Sequence, residues 1–205
     1  NNRNQARQII RDLRIYDPEV NLSRLIGANK RFIEQSIPHI GNLMVGSCEE
    51  AVRLLQKDLP DIRSLRDVSP PDFNRLAAQL PREVEMRARH VVEEIERSKQ
   101  ADALLEAGKI ESFGRLMNQC HVSLRDLYEV SCPELDVMVR VAQTLAGCYG
   151  ARLTGAGFGG CTVNLVERDK AAEFAGSLAE GYETETGTRP EIYITRASSG
   201  AELLR

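Results

Sequence analysis

The residues best suited to chemistry form one run, Thr154-Gly155-Ala156-Gly157-Phe158-Gly159-Gly160. Glycine takes positive φ without steric cost, so four glycines within six residues allow successive N–H groups to turn into one concavity that suits an anion. Such a backbone can cradle phosphate while contributing no proton-transferring group. The spacing fits neither common nucleotide signature. No Gly-Lys-Ser/Thr ending follows, and the next residues alternate like a strand, whereas a dinucleotide fingerprint opens a helix. A tight connection between two packed strands is the structural alternative, and spacing alone leaves both open.

Other reactive side chains carry plainer readings. Arg152, just ahead of the run, is either a further residue of the same site or a surface charge at a strand edge. His121, with Ser123, Arg125 and Asp126 nearby, has the groups for acid–base work but no nucleophile pattern around it, which favours a hydrogen-bonded cluster at a helix end. His90 falls inside a helical pattern and reads as structural; Glu93, Glu94 and Glu96 with Arg97 and Lys99 read as a solvated helix face. Cys48, Cys120, Cys132, Cys148 and Cys161 are odd in number and scattered, with no C-x-x-C pair, so they read as buried free thiols. No catalytic residue and no metal ligand is assigned.

Periodicity supplies the elements that must hold the glycine run. Ser47 and Glu50 form a capping box ahead of a helix through Val52, Leu54, Leu55 and Leu59, and Ser69-Pro70-Pro71-Asp72 leads into a short helix through Phe73, Leu76, Ala77 and Leu80. Residues 67–72 read as a loop. From Pro81, apolar residues recur at helical spacing through Val84, Ala88, Val92 and Leu105 until Gly108 stops the helix. A further helix holds Ile110, Phe113, Leu116, Met117 and Cys120, and Ser131-Cys132-Pro133-Glu134 is a second capping box, opening a helix that ends near Gly147. The character then changes. Ala151 to Thr154 and Cys161 to Val166 read as strands flanking the glycine run, Asp169 caps a helix through Ala172, Phe174, Ala175 and Leu178, and Ile192 to Thr195 reads as a third strand. The predicted fold is α+β: a small, mostly antiparallel sheet with helices on one face plus a helical region. One domain over 1–205 is expected, mostly helical over 1–147, with a β-loop-β-α-β unit over 148–205.

Composition bounds the rest. With 205 residues, 42% hydrophobic and 28% charged, the chain is an ordinary globular one, not a disordered or repetitive one. Lys plus Arg total 27 against 30 Asp plus Glu, a net charge of -3, so no global positive field favours nucleic acid or an anionic membrane. No apolar stretch approaches the roughly 20 residues of a membrane span, and the polar start Asn1-Asn2-Arg3-Asn4-Gln5 has no signal-peptide core, which gives a cytoplasmic expectation. Asn2 to Leu13 already reads as the body of a helix, so the sequence is expected to begin partway through a longer protein.

The run Tyr149-Gly150-Ala151-Arg152-Leu153-Thr154-Gly155-Ala156-Gly157-Phe158-Gly159-Gly160-Cys161-Thr162-Val163 closely resembles the third, C-terminal signature of galactokinases, members of the GHMP sugar and metabolite kinase superfamily. Met117 to Asp136 resembles the galactokinase segment just before that signature, and Arg87-Ala88-Arg89-His90-Val91-Val92 resembles another stretch of the same family. The likeness runs from about Arg87 to the C-terminus, with a weaker similarity over Asn2 to Leu13. The family's Arg-x-x-x-x-Gly-Glu-His element, its serine-rich glycine loop and the Asp base after it do not occur here, so the resemblance implies the C-terminal half of such a protein, with the N-terminal catalytic half missing from this chain. Asn1 or Asn2 stands where many members place a sugar-contacting Tyr, and Ala156 replaces a common glycine. What the resemblance implies is ATP-dependent phosphorylation of a sugar, galactose or a related one, with ATP and Mg2+ bound mainly by the missing half and with Thr154 to Gly160 shaping the phosphate and sugar site. A non-catalytic sugar- or ATP-binding regulator on the same scaffold is the alternative. The missing serine-rich loop and base imply that this chain alone is inactive, and an apolar face left toward the missing half implies that it self-associates into a homo-oligomer.

Overall fold

The structure, a computed structural model, describes residues 46–155 and 157–196. The helix predicted over Asn2 to Leu13 and the conformation of Ala156 lie outside these residues. The described residues fall into two compact units, 46–96 and 97–196.

In the first unit, α1 (Ser47–Leu55) and α2 (Pro70–Leu76) precede α3 (Arg82–Glu106), which continues into the second. Ala51, Leu55, Phe73, Leu76, Ala88 and Val92 form its core. The Ser69 start works as predicted: its hydroxyl accepts the Asp72 N–H at 3.2 Å, and Pro70 occupies the first helical position, where a missing N–H costs nothing. The capping box at Ser47 does not form. Gly46 precedes the helix with helical dihedrals and no side-chain cap, and Ser47 is buried as its first residue, so the hydroxyl is not at the position from which it could cap. The predicted loop over 67–72 begins as a 3-10 turn, Leu65–Asp67, in which the Asp67 carboxylate accepts the N–H groups of Arg63 and Ser64 at 2.9 Å each.

In the second unit, α3 stops before Gly108, whose φ of 69° is the left-handed value expected of a helix stop. Then come α4 (Ile110–Asp126), α5 (Pro133–Thr144), β1 (Cys148–Thr154), β2 (Cys161–Val166) and α6 (Ala171–Thr186). The strands pair antiparallel, with Gly150 opposite Leu165, Arg152 opposite Val163 and Thr154 opposite Cys161, and with an irregularity between Cys148 and Gly150. Val139 and Ala142 of α5 and Phe174 and Leu178 of α6 pack with Ala151 of β1 into one core; Leu165 packs against Leu105, Phe113 and Met117. This is the predicted α+β arrangement.

Three further local expectations fail. The Ser131 capping box is absent: Cys132 is the extended residue before α5, no side chain caps it, and the Ser131 hydroxyl instead donates to Asp136. Asp169 caps nothing, since the 3-10 turn Arg168–Lys170 leads directly into α6. Ile192 to Thr195 forms no strand; Ile192 packs on the α5–α6 core, while Tyr193 and Ile194 are 73% and 58% exposed. Strand propensity expresses itself only against a ladder partner, and among the described residues this segment has none.

Candidate functional site

The glycine run is the connection between β1 and β2, closed at its base by the Thr154–Cys161 pair. Its backbone is left-handed almost throughout: φ is 85° at Gly155, 78° at Gly157, 57° at Phe158, 101° at Gly159 and 131° at Gly160. Phe158 is the exception among side chains, because a non-glycine residue seldom takes this conformation without being held there. It is held by its N–H, which donates to the Val130 carbonyl at 2.8 Å.

The four glycines divide into two kinds. A Cβ on Gly157 would lie 2.1 Å from the Val130 carbonyl oxygen, so this glycine is required for the loop to seat on the segment after α4. Among the described residues, a Cβ on Gly155, Gly159 or Gly160 would meet nothing within 4 Å. Those three residues are exposed, and the absence of side chains there leaves backbone open to whatever approaches from outside this chain. The glycines thus differ in surroundings: Gly157 fits a tight connection, and Gly155, Gly159 and Gly160 present a bare backbone surface.

Beneath the loop, α4 lies against β1. Asn118 Oδ1 accepts the Ala151 N–H at 2.8 Å, and His121 Nδ1 accepts the Leu153 N–H at 3.3 Å. One helical turn of side chains thus satisfies β1 amides that β2 does not reach. His121 is 3% exposed; its Nε2 lies 3.3 Å from Asp136 Oδ1, which also accepts the Ser131 hydroxyl at 2.6 Å. An acceptor at Nδ1 fixes the tautomer with the proton on Nε2, aimed at Asp136. Burial pushes the His121 pKa below 6.5, and the neighbouring Asp136 carboxylate opposes that push without overcoming it.

Arg152 does not reach outward with the loop. It is half-buried, and its guanidinium lies 3.2 Å from the Cys120 sulfur of α4. His121 is the helix-cluster residue that its surroundings suggested, while Ser123, its predicted companion, is engaged by Arg97 at 2.9 Å, and Arg125 and Asp126 pair with one another at 2.6 Å. His90 is buried in the first unit. Sequence reasoning misses Val130, Asn118 and Asp136, which no motif singles out; the signal was Gly114 and Gly150, two isolated glycines whose close approach lets α4 reach the strand. Among the described residues no group of three or more His, Cys, Asp or Glu could hold a metal ion, and no helix is long and apolar enough to cross a membrane.

Residues 101–184, which span α4 to α6 and the glycine loop, match the family model described as GHMP kinases C terminal. Over those residues the chain is similar to the C-terminal domain of GHMP kinases. Its resemblance is to galactokinases in particular: it is 55% identical to the galactokinase of Roseiflexus sp. (strain RS-1) over 153 residues, 75% of this chain and 39% of that protein. Against the galactokinase of Homo sapiens it is 45% identical over 157 residues, 77% of this chain and 38% of the relative. The crystal structure of Lactococcus lactis galactokinase complexed with galactose superposes with a TM-score of 0.72 at 39% identity, covering 78% of this chain and 41% of that one. The chain spans about two fifths of the length of the curated relatives it matches.

Proposed function

We propose that this chain is the C-terminal part of an ATP-dependent sugar kinase of galactokinase type, and that its glycine loop supplies a close-approach backbone surface to the phosphate and sugar site. The observation that carries this reading is the bare face of Gly155, Gly159 and Gly160, where no atom of the described residues fills the space a side chain would take. ATP would supply the γ-phosphoryl group and Mg2+ would neutralise its charge as the group passes to the anomeric hydroxyl of galactose or a related sugar. Phosphoryl transfer of this kind is catalysed by positioning and by electrostatic stabilisation, so fixed N–H dipoles contribute without exchanging a proton. The loop residues fit that role. On the family resemblance, we assign the metal and the base to the rest of the kinase. We place the reaction in the cytoplasm, in keeping with five cysteines that form no disulfide among the described residues, although only Cys120 is buried as expected of all five.

The experiment is an assay of this chain, and of the longer protein that carries it, with ATP, Mg2+ and galactose. We expect sugar 1-phosphate from the longer protein and none from the chain alone, because alignment of two substrates needs both sides of the site. Robust turnover by the 205-residue chain would refute the division of labour, and a longer protein that binds sugar without phosphorylating it would replace the kinase with a regulator.

A further inference from the structure

The hydrogen bonds beneath the loop close into a circuit. Leu153 donates its N–H to His121 Nδ1; His121 Nε2 faces Asp136 Oδ1; Asp136 accepts the Ser131 hydroxyl; and Val130, the residue before Ser131, accepts the N–H of Phe158 at the far side of the same loop. The loop from Leu153 to Phe158 is thus tied at both ends to one strip of chain, residues 130–136. Segment 130–131 is itself anchored, since the Val130 N–H donates to the Leu124 carbonyl at 3.0 Å, and Glu129 turns the chain there with a φ of 55°. We propose that His121 is a positioning residue for the glycine loop, joining the end of β1 to the start of α5 so that the loop is held at a fixed height over the sheet.

The physical case rests on what each alternative would leave behind. The Leu153 amide lies away from the β2 ladder, and a buried N–H without an acceptor costs about 1–3 kcal/mol, so loss of the imidazole would release the strand end next to Thr154. A Cβ on Gly155, Gly159 or Gly160 would meet no described atom within 4 Å, so no packing at those positions steadies the loop. Beyond the Thr154–Cys161 pair at its base, the two tethers are what hold it. A histidine serves because its two nitrogens face opposite ways, one accepting from the strand and one donating to the helix start. Neither job requires contact with a substrate, which separates this role from that of a catalytic acid or base.

The two nitrogens can be tested separately. His121→Asn retains an acceptor near the Nδ1 position for Leu153 but gives up the reach to Asp136; His121→Gln retains the reach to Asp136 and loses the acceptor for the strand. Amide hydrogen exchange of the peptide covering residues 152–161, measured on this chain, is expected to rise about tenfold in His121→Gln and about twofold in His121→Asn, with α6 unchanged in both. In the longer protein, kcat is expected to fall about tenfold in the Gln variant with KM for sugar little changed, and Asn to restore most of it. That kinetic arm rests on the kinase reading, and the exchange arm does not: a wild-type protein without turnover would sink the kinase and leave the tether to be decided by exchange. Equal exchange in the two variants, or a rise spread evenly over α5, α6 and the loop, would overturn the proposal. Should His121→Gln fail to fold, Ser131→Ala removes a different link of the circuit, and the same peptide should then exchange about threefold faster, whereas unchanged exchange would refute the circuit.

Discussion

Gly114 and Gly150 meet backbone to backbone: a Cβ on Gly114 would lie 2.1 Å from the Tyr149 carbonyl oxygen, and one on Gly150 would lie 2.2 Å from the carbonyl oxygen of Gly114. This contact sets the depth at which α4 lies on β1, and so decides whether Asn118 and His121 can reach the strand amides. The helix cost of one glycine, about 1 kcal/mol, is accepted at Gly114 in exchange for that approach.

Alanine at either position must therefore push the helix from the strand. Both contacts are with backbone, which cannot swing aside, and the displaced helix would also lose two hydrogen bonds to β1. We expect Gly114→Ala and Gly150→Ala each to destabilise the second unit by about 3 kcal/mol, adding overpacking to lost hydrogen bonds. Urea denaturation gives the measure, as a lower midpoint at unchanged m. A midpoint within error of wild type would mean that the two backbones are not in contact.

The loop glycines should separate stability from activity. Gly157→Ala meets the Val130 carbonyl and forces a Cβ onto a φ of 78°, so it should cost about 3 kcal/mol or more. Gly159→Ala meets no atom of the described residues and carries the strain of its φ of 101°, about 1–3 kcal/mol. In the longer protein, Gly159→Val should then lose far more kcat/KM than stability, while Gly157→Ala should lose folding first. If Gly159→Val unfolds the protein yet its folded fraction keeps full specific activity, the bare surface is only a connection.

These outcomes show which parts were legible in the residues. Helical periodicity from Pro81 to Gly108, and the change to β-branched alternation at Cys161, are local signals, and both elements form as read. The glycine run announced its own conformational freedom. Capping was legible at Ser69 but not at Ser131, where the Ser-x-x-Glu pattern is intact and the hydroxyl is taken instead by Asp136. His121 was legible as a member of a hydrogen-bonded cluster but its partners were not, because Asn118, Val130 and Asp136 lie on different elements and meet strand and loop only after two glycines bring α4 onto β1. Ile192 to Thr195 shows the converse: strong strand propensity, with no partner to pair with among the described residues.

His121 gives stability a pH dependence of definite sign. Burial holds its folded pKa below the ordinary 6.5, against the raising pull of Asp136 and Asp126 and together with the lowering effect of Arg125. The unfolded chain therefore takes up the proton first as pH falls, and stability decreases from about pH 6.5 downward to the folded value, below which the loss is complete. Asp67, Asp72 and Asp126 have pKa values held below 3.8, so their contributions are lost only in more acidic solution. Denaturant unfolding at about pH 7.5 and about pH 5.5 should show a drop in wild type that is smaller in His121→Asn, which has no proton to gain. Equal drops in both proteins would place the titration elsewhere.

The last prediction concerns the chain in isolation. Tyr193 and Ile194 are exposed, Val163 of β2 is 36% exposed, and β2 has no second strand neighbour among the described residues. An unpaired strand edge beside apolar side chains invites pairing with another chain, so the isolated protein should self-associate. Light scattering is expected to give a mass that rises with concentration, and Tyr193→Ser with Ile194→Ser should lower it toward the monomer while leaving the denaturation midpoint within about 0.5 kcal/mol of wild type, as for exposed positions generally. A clean monomer at high concentration for the unmodified chain would show that this surface is tolerated in water, and a double variant that still associates would assign the contact to another face.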